Sequence, residues 1–60
     1  MTTYIHVDVT HIGNSNWRAY VPLLDDFIHE TSRPRLEYEV YRIVEQSQGL
    51  HSFTIIWREA

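Results

Sequence analysis

Sixty residues carry a formal charge of -3, with eight Asp and Glu against five Arg, no lysine and no cysteine. That balance excludes a phosphate-tracking nucleic-acid surface, which needs clustered basic side chains, and the lack of cysteine excludes disulfides and thiolate metal sites as staples. A chain this short buries only about 60% of the surface its unfolded form exposes, so one domain over residues 1–60, helped by self-association, is the expectation.

Met1 to Asp8 has neither a basic leader nor a continuous apolar run, so neither secretion nor membrane insertion is encoded, and a small acidic cytoplasmic protein is expected. Residues 3–12 alternate, with Ile5, Val7 and Val9 on one side and Tyr4, His6, Asp8 and Thr10 on the other, the period of a half-buried strand. Gly13 to Asn16 is a turn, and Ser15 or Asn16 can cap a helix. Trp17, Tyr20, Val21, Leu24, Phe27 and Ile28 recur at helical spacing, which predicts a helix ending near Glu30, with Leu24 and Phe27 buried against Val7 and Val9. Pro22 costs about 3 kcal/mol inside such a helix, so it is kinked or its regular part begins near Val21.

The segment 36–48 has two readings. Leu36, Val40, Ile43 and Val44 form a helical stripe opened by Ser32 and Pro34 and closed by Gly49. Tyr38, Val40, Tyr41, Ile43 and Val44 also suit a pleated surface, and the β-rich run Phe53 to Trp57 follows the Gly49 turn as a hairpin requires. The hairpin is the preferred reading. The fold class expected is therefore α+β, an antiparallel sheet with one helix in the order βαββ. Large apolar groups on both faces of the hairpin call for a second cover, met by a two-fold homodimer burying Tyr41, Ile43 and Ile56.

From Trp17 onward the residues resemble the antibiotic biosynthesis monooxygenase family. The likeness lies in Leu23-Leu24 at a helix centre, the bend Thr31 to Arg35, the strand Tyr38 to Arg42 of Tyr-Glu-x-Tyr-Arg type, and a strand closing on Trp57 with Glu59 and Ala60 beyond it. Arg35 stands where the family usually has a glycine, Ile55 where it has an acidic residue, and the family's second helix and fourth strand have no counterpart. The resemblance implies the N-terminal βαββ half of a ferredoxin-like unit, assembled as a dimeric α+β barrel.

Trp57 can stack on a flat aromatic compound while Tyr38 or Tyr41 hydrogen-bonds its hydroxyls, and His51 is the candidate proton acceptor. His6 and Asp8 face the same way on a strand but have no third ligand in register, so no metal site is expected. No Gly-rich loop opens a helix, so no cofactor is expected either. Arg33 and Arg35, around Pro34, read as a solvated loop, and Asp25, Asp26 and Glu30 as an acidic helix face, solvated but able to dock on a basic partner. The serines have no nucleophile-elbow setting, and Thr2 is not the proline that tautomerases of this size require.

The residues leave open whether the chain is an enzyme. One reading is a cofactor-independent monooxygenase acting on a quinol or phenolic compound. The alternative is a non-catalytic module that binds a small aromatic ligand or another protein, as inhibitor or scaffold. Both are homo-oligomers, without nucleic acid or membrane as partner.

Overall fold

The computed structural model describes residues 3–49 and 52–59. Three strands, β1 (Tyr4–Ile12), β2 (Asn16–Val21) and β3 (Asp26–Glu30), run in antiparallel succession, followed by helix α1 (Arg33–Gln48) and strand β4 (Thr54–Glu59). β4 lies parallel to β1, giving one mixed sheet of order β3-β2-β1-β4. The class is the α+β one expected, one helix on one sheet, and it is consistent with a small ferredoxin-like half. Among the described residues no helix is long and apolar enough to cross a membrane.

The order of elements differs from the βαββ expectation. β1 forms as read, with Ile5, Val7 and Val9 buried on the inner face. Residues 17–28 form a hairpin instead of a helix. Trp17, Ala19 and Val21 alternate inward and Arg18 and Tyr20 outward, so period two wins over the helical stripe. Pro22 decides the matter, because it starts a turn in which the Leu24 N–H donates to the Val21 carbonyl (3.0 Å) and the Asp25 N–H to the Pro22 carbonyl (3.2 Å). Asp25 takes the left-handed conformation, φ 51°, which Asp tolerates better than most residues. Phe27 then points outward, 53% exposed, and the expectation that it packs against Val7 and Val9 fails. Leu24 sits partly buried at the rim of the core.

The segment read as a strand is the helix. Ser32 caps it, accepting from the Arg35 N–H at 3.4 Å; Pro34 occupies the first turn, where an N–H is not needed; and Gly49 ends it at φ 61°. Leu36, Val40 and Val44, four residues apart, present one fully buried stripe to the sheet. A strand would have sent Val40 and Tyr41 to opposite faces, and the single helix would have been left without its seam. Tyr41 and Ile43 therefore lie on the helix and Ile56 on the outer face of β4, so these three do not share one sheet face.

The helix packs chiefly over β2 and β3. It thus leaves the inner face of β4 half covered: Ile55 and Trp57, with Phe53 just before the strand, touch the core from its margin. Among the described residues no helix lies over the outer face of the sheet, which carries Tyr4, His6, Asp8, Arg18, Tyr20, Phe27 and Ile56.

Candidate functional site

The most organised polar cluster lies where the first turn of α1 meets the end of β4. Arg33, 25% exposed, donates from Nη1 and Nη2 to the two carboxylate oxygens of Glu59 at 2.7 and 2.8 Å, and from Nε to Glu37 at 2.8 Å. Its guanidinium also lies 5.5 Å from the ring centres of both Trp17 and Trp57, close enough for cation–π attraction. His11 stacks on Trp17 at 4.1 Å, extending the column.

The pairing of strands explains this convergence. Trp17 and Trp57 both fall on the inner face by the alternation of β2 and β4, and Glu59, two beyond Trp57, falls there too. Arg33 enters from above as the first residue of the helix, with Glu37 one turn on. The fork from Arg33 holds the Glu59 carboxyl below its ordinary value, and the same hydrogen bonds raise the Arg33 guanidinium further. A carboxylate held this way neither takes nor gives a proton near neutral pH. The expectation of a solvated loop at Arg33 and Arg35 is corrected here: both lie in the first turn of α1, and of the two only Arg35, paired with Glu30 at 3.2 Å, stays exposed.

The residues predicted to bind an aromatic compound are not gathered into one pocket. Trp57 is engaged with Arg33 on the inner face. Tyr38 and Tyr41 stand on the helix, 60% and 41% exposed, Tyr38 beside Arg42 (5.9 Å to the ring) and Tyr41 stacked on Phe53 (4.6 Å). His51 lies outside the described residues. Open depressions among the described residues include one of about 380 Å³ lined by Tyr4, Ile5, His6, Pro22 and Leu23 and one of about 470 Å³ lined by Ser32, Pro34, Arg35, Tyr38 and Glu39. Neither takes in Trp57. Among the described residues no polar or charged residue is buried, so none has the desolvated setting that tunes an acid or base.

The outer face carries a second, looser set of contacts. Tyr20 donates to Asp25 at 2.8 Å, which raises the phenol above its ordinary value; Tyr20 and Phe27 pair at 4.8 Å with Arg18 over the Phe27 ring at 5.4 Å. Asp8 meets Arg58 at 3.6 Å. His6 and Asp8 share this face as their spacing requires, and among the described residues no third ligand joins them.

Sequence reasoning missed Arg33, Glu37, Glu59 and Trp17. The i, i+4 spacing of Arg33 and Glu37 was a usable signal once 33–48 is read as a helix. No protein-family model, no curated protein and no solved structure matches this chain.

Proposed function

We propose that this chain is a non-catalytic protein-interaction module that works as a homo-oligomer. The observation that carries this reading is β4, an edge strand left unpaired on one side among the described residues, whose Ile55 and Trp57 make with the preceding Phe53 an apolar row that the helix only half covers. Edge strands of folded proteins are normally blunted by charge, proline or a bulge, because their free N–H and C=O groups pair with any available strand. β3 is blunted, with Asp26 and Glu30 at its ends and five residues in length. β4 runs Thr-Ile-Ile-Trp through its first four positions with no charge or proline among them.

The polar groups of the inner face favour binding over chemistry in the same way. Arg33, Glu37 and Glu59 satisfy one another, and the guanidinium lies over the two tryptophan rings that a flat substrate would need. The acidic turn at Asp25 and Asp26 gives the module a second surface, suited to a basic partner. Burying the outer face against a second sheet would desolvate Asp8, Thr10, Arg18 and Tyr20, so the strand edge is the better contact.

Sedimentation of the wild-type chain at micromolar concentration, with oxygen uptake measured on a panel of dihydroxynaphthalenes, tests this. An oligomer without turnover is expected. Turnover by the metal-free protein overturns it in favour of the cofactor-independent monooxygenase, and a monomer at every concentration removes the homo-oligomer.

A further inference from the structure

We propose that the occupant of the β4 edge is β4 of a second copy, paired antiparallel about a two-fold axis at Ile56, so that two four-stranded sheets become one of eight strands with both helices on the same side. This rests on the interaction-module reading and specifies its partner.

The backbone fixes which residues can take part. The Thr54 N–H donates to the Thr3 carbonyl at 2.8 Å, and successive residues of a strand address opposite neighbours, so 54, 56 and 58 face β1 while Ile55, Trp57 and Glu59 turn their N–H and C=O groups to the open side. In an antiparallel pair, residues that exchange hydrogen bonds stand directly opposite. A two-fold at Ile56 sets Ile55 opposite the partner's Trp57 and Trp57 opposite the partner's Ile55. Each facing pair has open groups on both sides, and on the inner face each joins two side chains that the helix leaves half covered. On the outer face Ile56 meets the partner's Ile56.

Charge selects the same partner. Each strand of the seam brings one Arg and one Glu, Arg58 and Glu59, which cancel. Antiparallel pairing puts Arg58 opposite the partner's Thr54, with the two arginines about 13 Å apart along the strands, beyond a screening length of about 8 Å. A parallel pair would lay arginine beside arginine. Joining two β3 edges would bring Asp26 and Glu30 of both copies into one seam, whereas joining β4 edges sends those acidic ends to the far margins of the sheet, the arrangement that a chain of net charge -3 favours. A standard interface buries about 800 Å² per partner, about a fifth of the 4182 Å² surface of the chain; the strand edge is extended toward that size by Phe53 and the Tyr41 ring stacked on it.

Thr54 is exposed, so it reports the register without disturbing the fold. Thr54→Arg sets two arginine pairs across the seam, by symmetry, and Thr54→Glu sets two opposite-charge pairs. Sedimentation equilibrium should show the dimer weakened about threefold to tenfold by the first and tightened by a similar factor by the second, the size that facing charges on paired strands produce. In a chemically synthesised chain, N-methylation of the Ile55 amide removes an edge donor while keeping the side chain and the β1 ladder; it should give a folded monomer. A wild-type dimer that ignores both Thr54 changes, or shifts the same way with each, or survives N-methylation, overturns the edge pairing and leaves self-association standing through another face. A wild-type monomer overturns both. If the N-methylated chain fails to fold, the Thr54 pair decides alone.

Discussion

Replacing Leu36 by Ala separates this fold from the βαββ order of elements that the apolar spacing of residues 17–28 suggests. Leu36 is fully buried at the first turn of the α1 seam, among the core residues of the sheet. Removing its isobutyl group forfeits the transfer free energy of the lost carbons and leaves a cavity that a core built mostly of valines fills poorly, a cost of about 3 kcal/mol. A sixty-residue chain has roughly 3 to 9 kcal/mol in all, so the variant should be close to unfolded, with Tm lowered by about 12 to 24 °C. Phe27→Ala is the control: the ring is 53% exposed and meets Tyr20 and the Arg18 guanidinium across the outer face, so it should cost about 1 kcal/mol or less. Urea unfolding followed by circular dichroism at 222 nm, at one fixed protein concentration because self-association shifts apparent stability, gives both values. A Phe27→Ala loss larger than the Leu36→Ala loss would refute the hairpin at 17–28 and restore a helix there.

Three further outcomes are expected. Arg33→Ala should lower Tm, since it removes the forked pair with Glu59, the pair with Glu37 and two ring contacts, the ion pairs being weakened by exposure of both carboxylates; Arg33→Lys should recover less than half of that loss, a point charge being unable to serve Glu59 and Glu37 as a fork does, and thermal melts of the three proteins give the comparison. Glu59 is held below its unfolded value by Arg33, so its contribution is present above the ordinary carboxylate range and lost as pH falls through the lower folded value, whereas Tyr20 is raised by Asp25, so its contribution is whole below about pH 10 and lost as pH rises through the higher folded value. Glu59→Gln should flatten the acid limb of stability against pH and Tyr20→Phe the alkaline limb. Gly49→Ala meets open space but a left-handed backbone, φ 61°, and should cost about 1 kcal/mol in the same melts.

The parts of the fold that were legible are those in which local chemistry has one solution. β1 alternates without exception from Tyr4 to Thr10 and forms a strand, and the Gly13 turn follows it. Residues 17–28 were ambiguous because Trp17, Val21 and Ile28 satisfy both periods; Tyr20 and Phe27 break the tie toward a helix, yet they find each other as a cross-strand pair on the outer face instead. In 33–48 the tyrosines and β-branched residues carry strand propensity, a preference of about 1 kcal/mol at most. Burying Leu36, Val40 and Val44 in one stripe outweighs it, and Ser32, Pro34 and Gly49 mark both ends of the helix. The Arg33 cluster joins residues 26 apart and needs the β1–β4 register, so no local pattern announces it. Trp57 was legible as the aromatic residue closing a strand, but its neighbour Arg33 was not.

Amide hydrogen exchange at Ile55 and Trp57, followed as the protein is diluted, tests the central claim most directly, because these two N–H groups face the open edge of β4 and only a second strand can protect them. At concentrations where sedimentation gives a dimer, both amides should exchange slowly, like those of Val7 and Val9 in the middle of the sheet, and both should lose protection together on dilution while Thr54 and Ile56 keep theirs. Fast exchange at Ile55 and Trp57 in a dimer, or protection that does not change on dilution to monomer, would contradict the account.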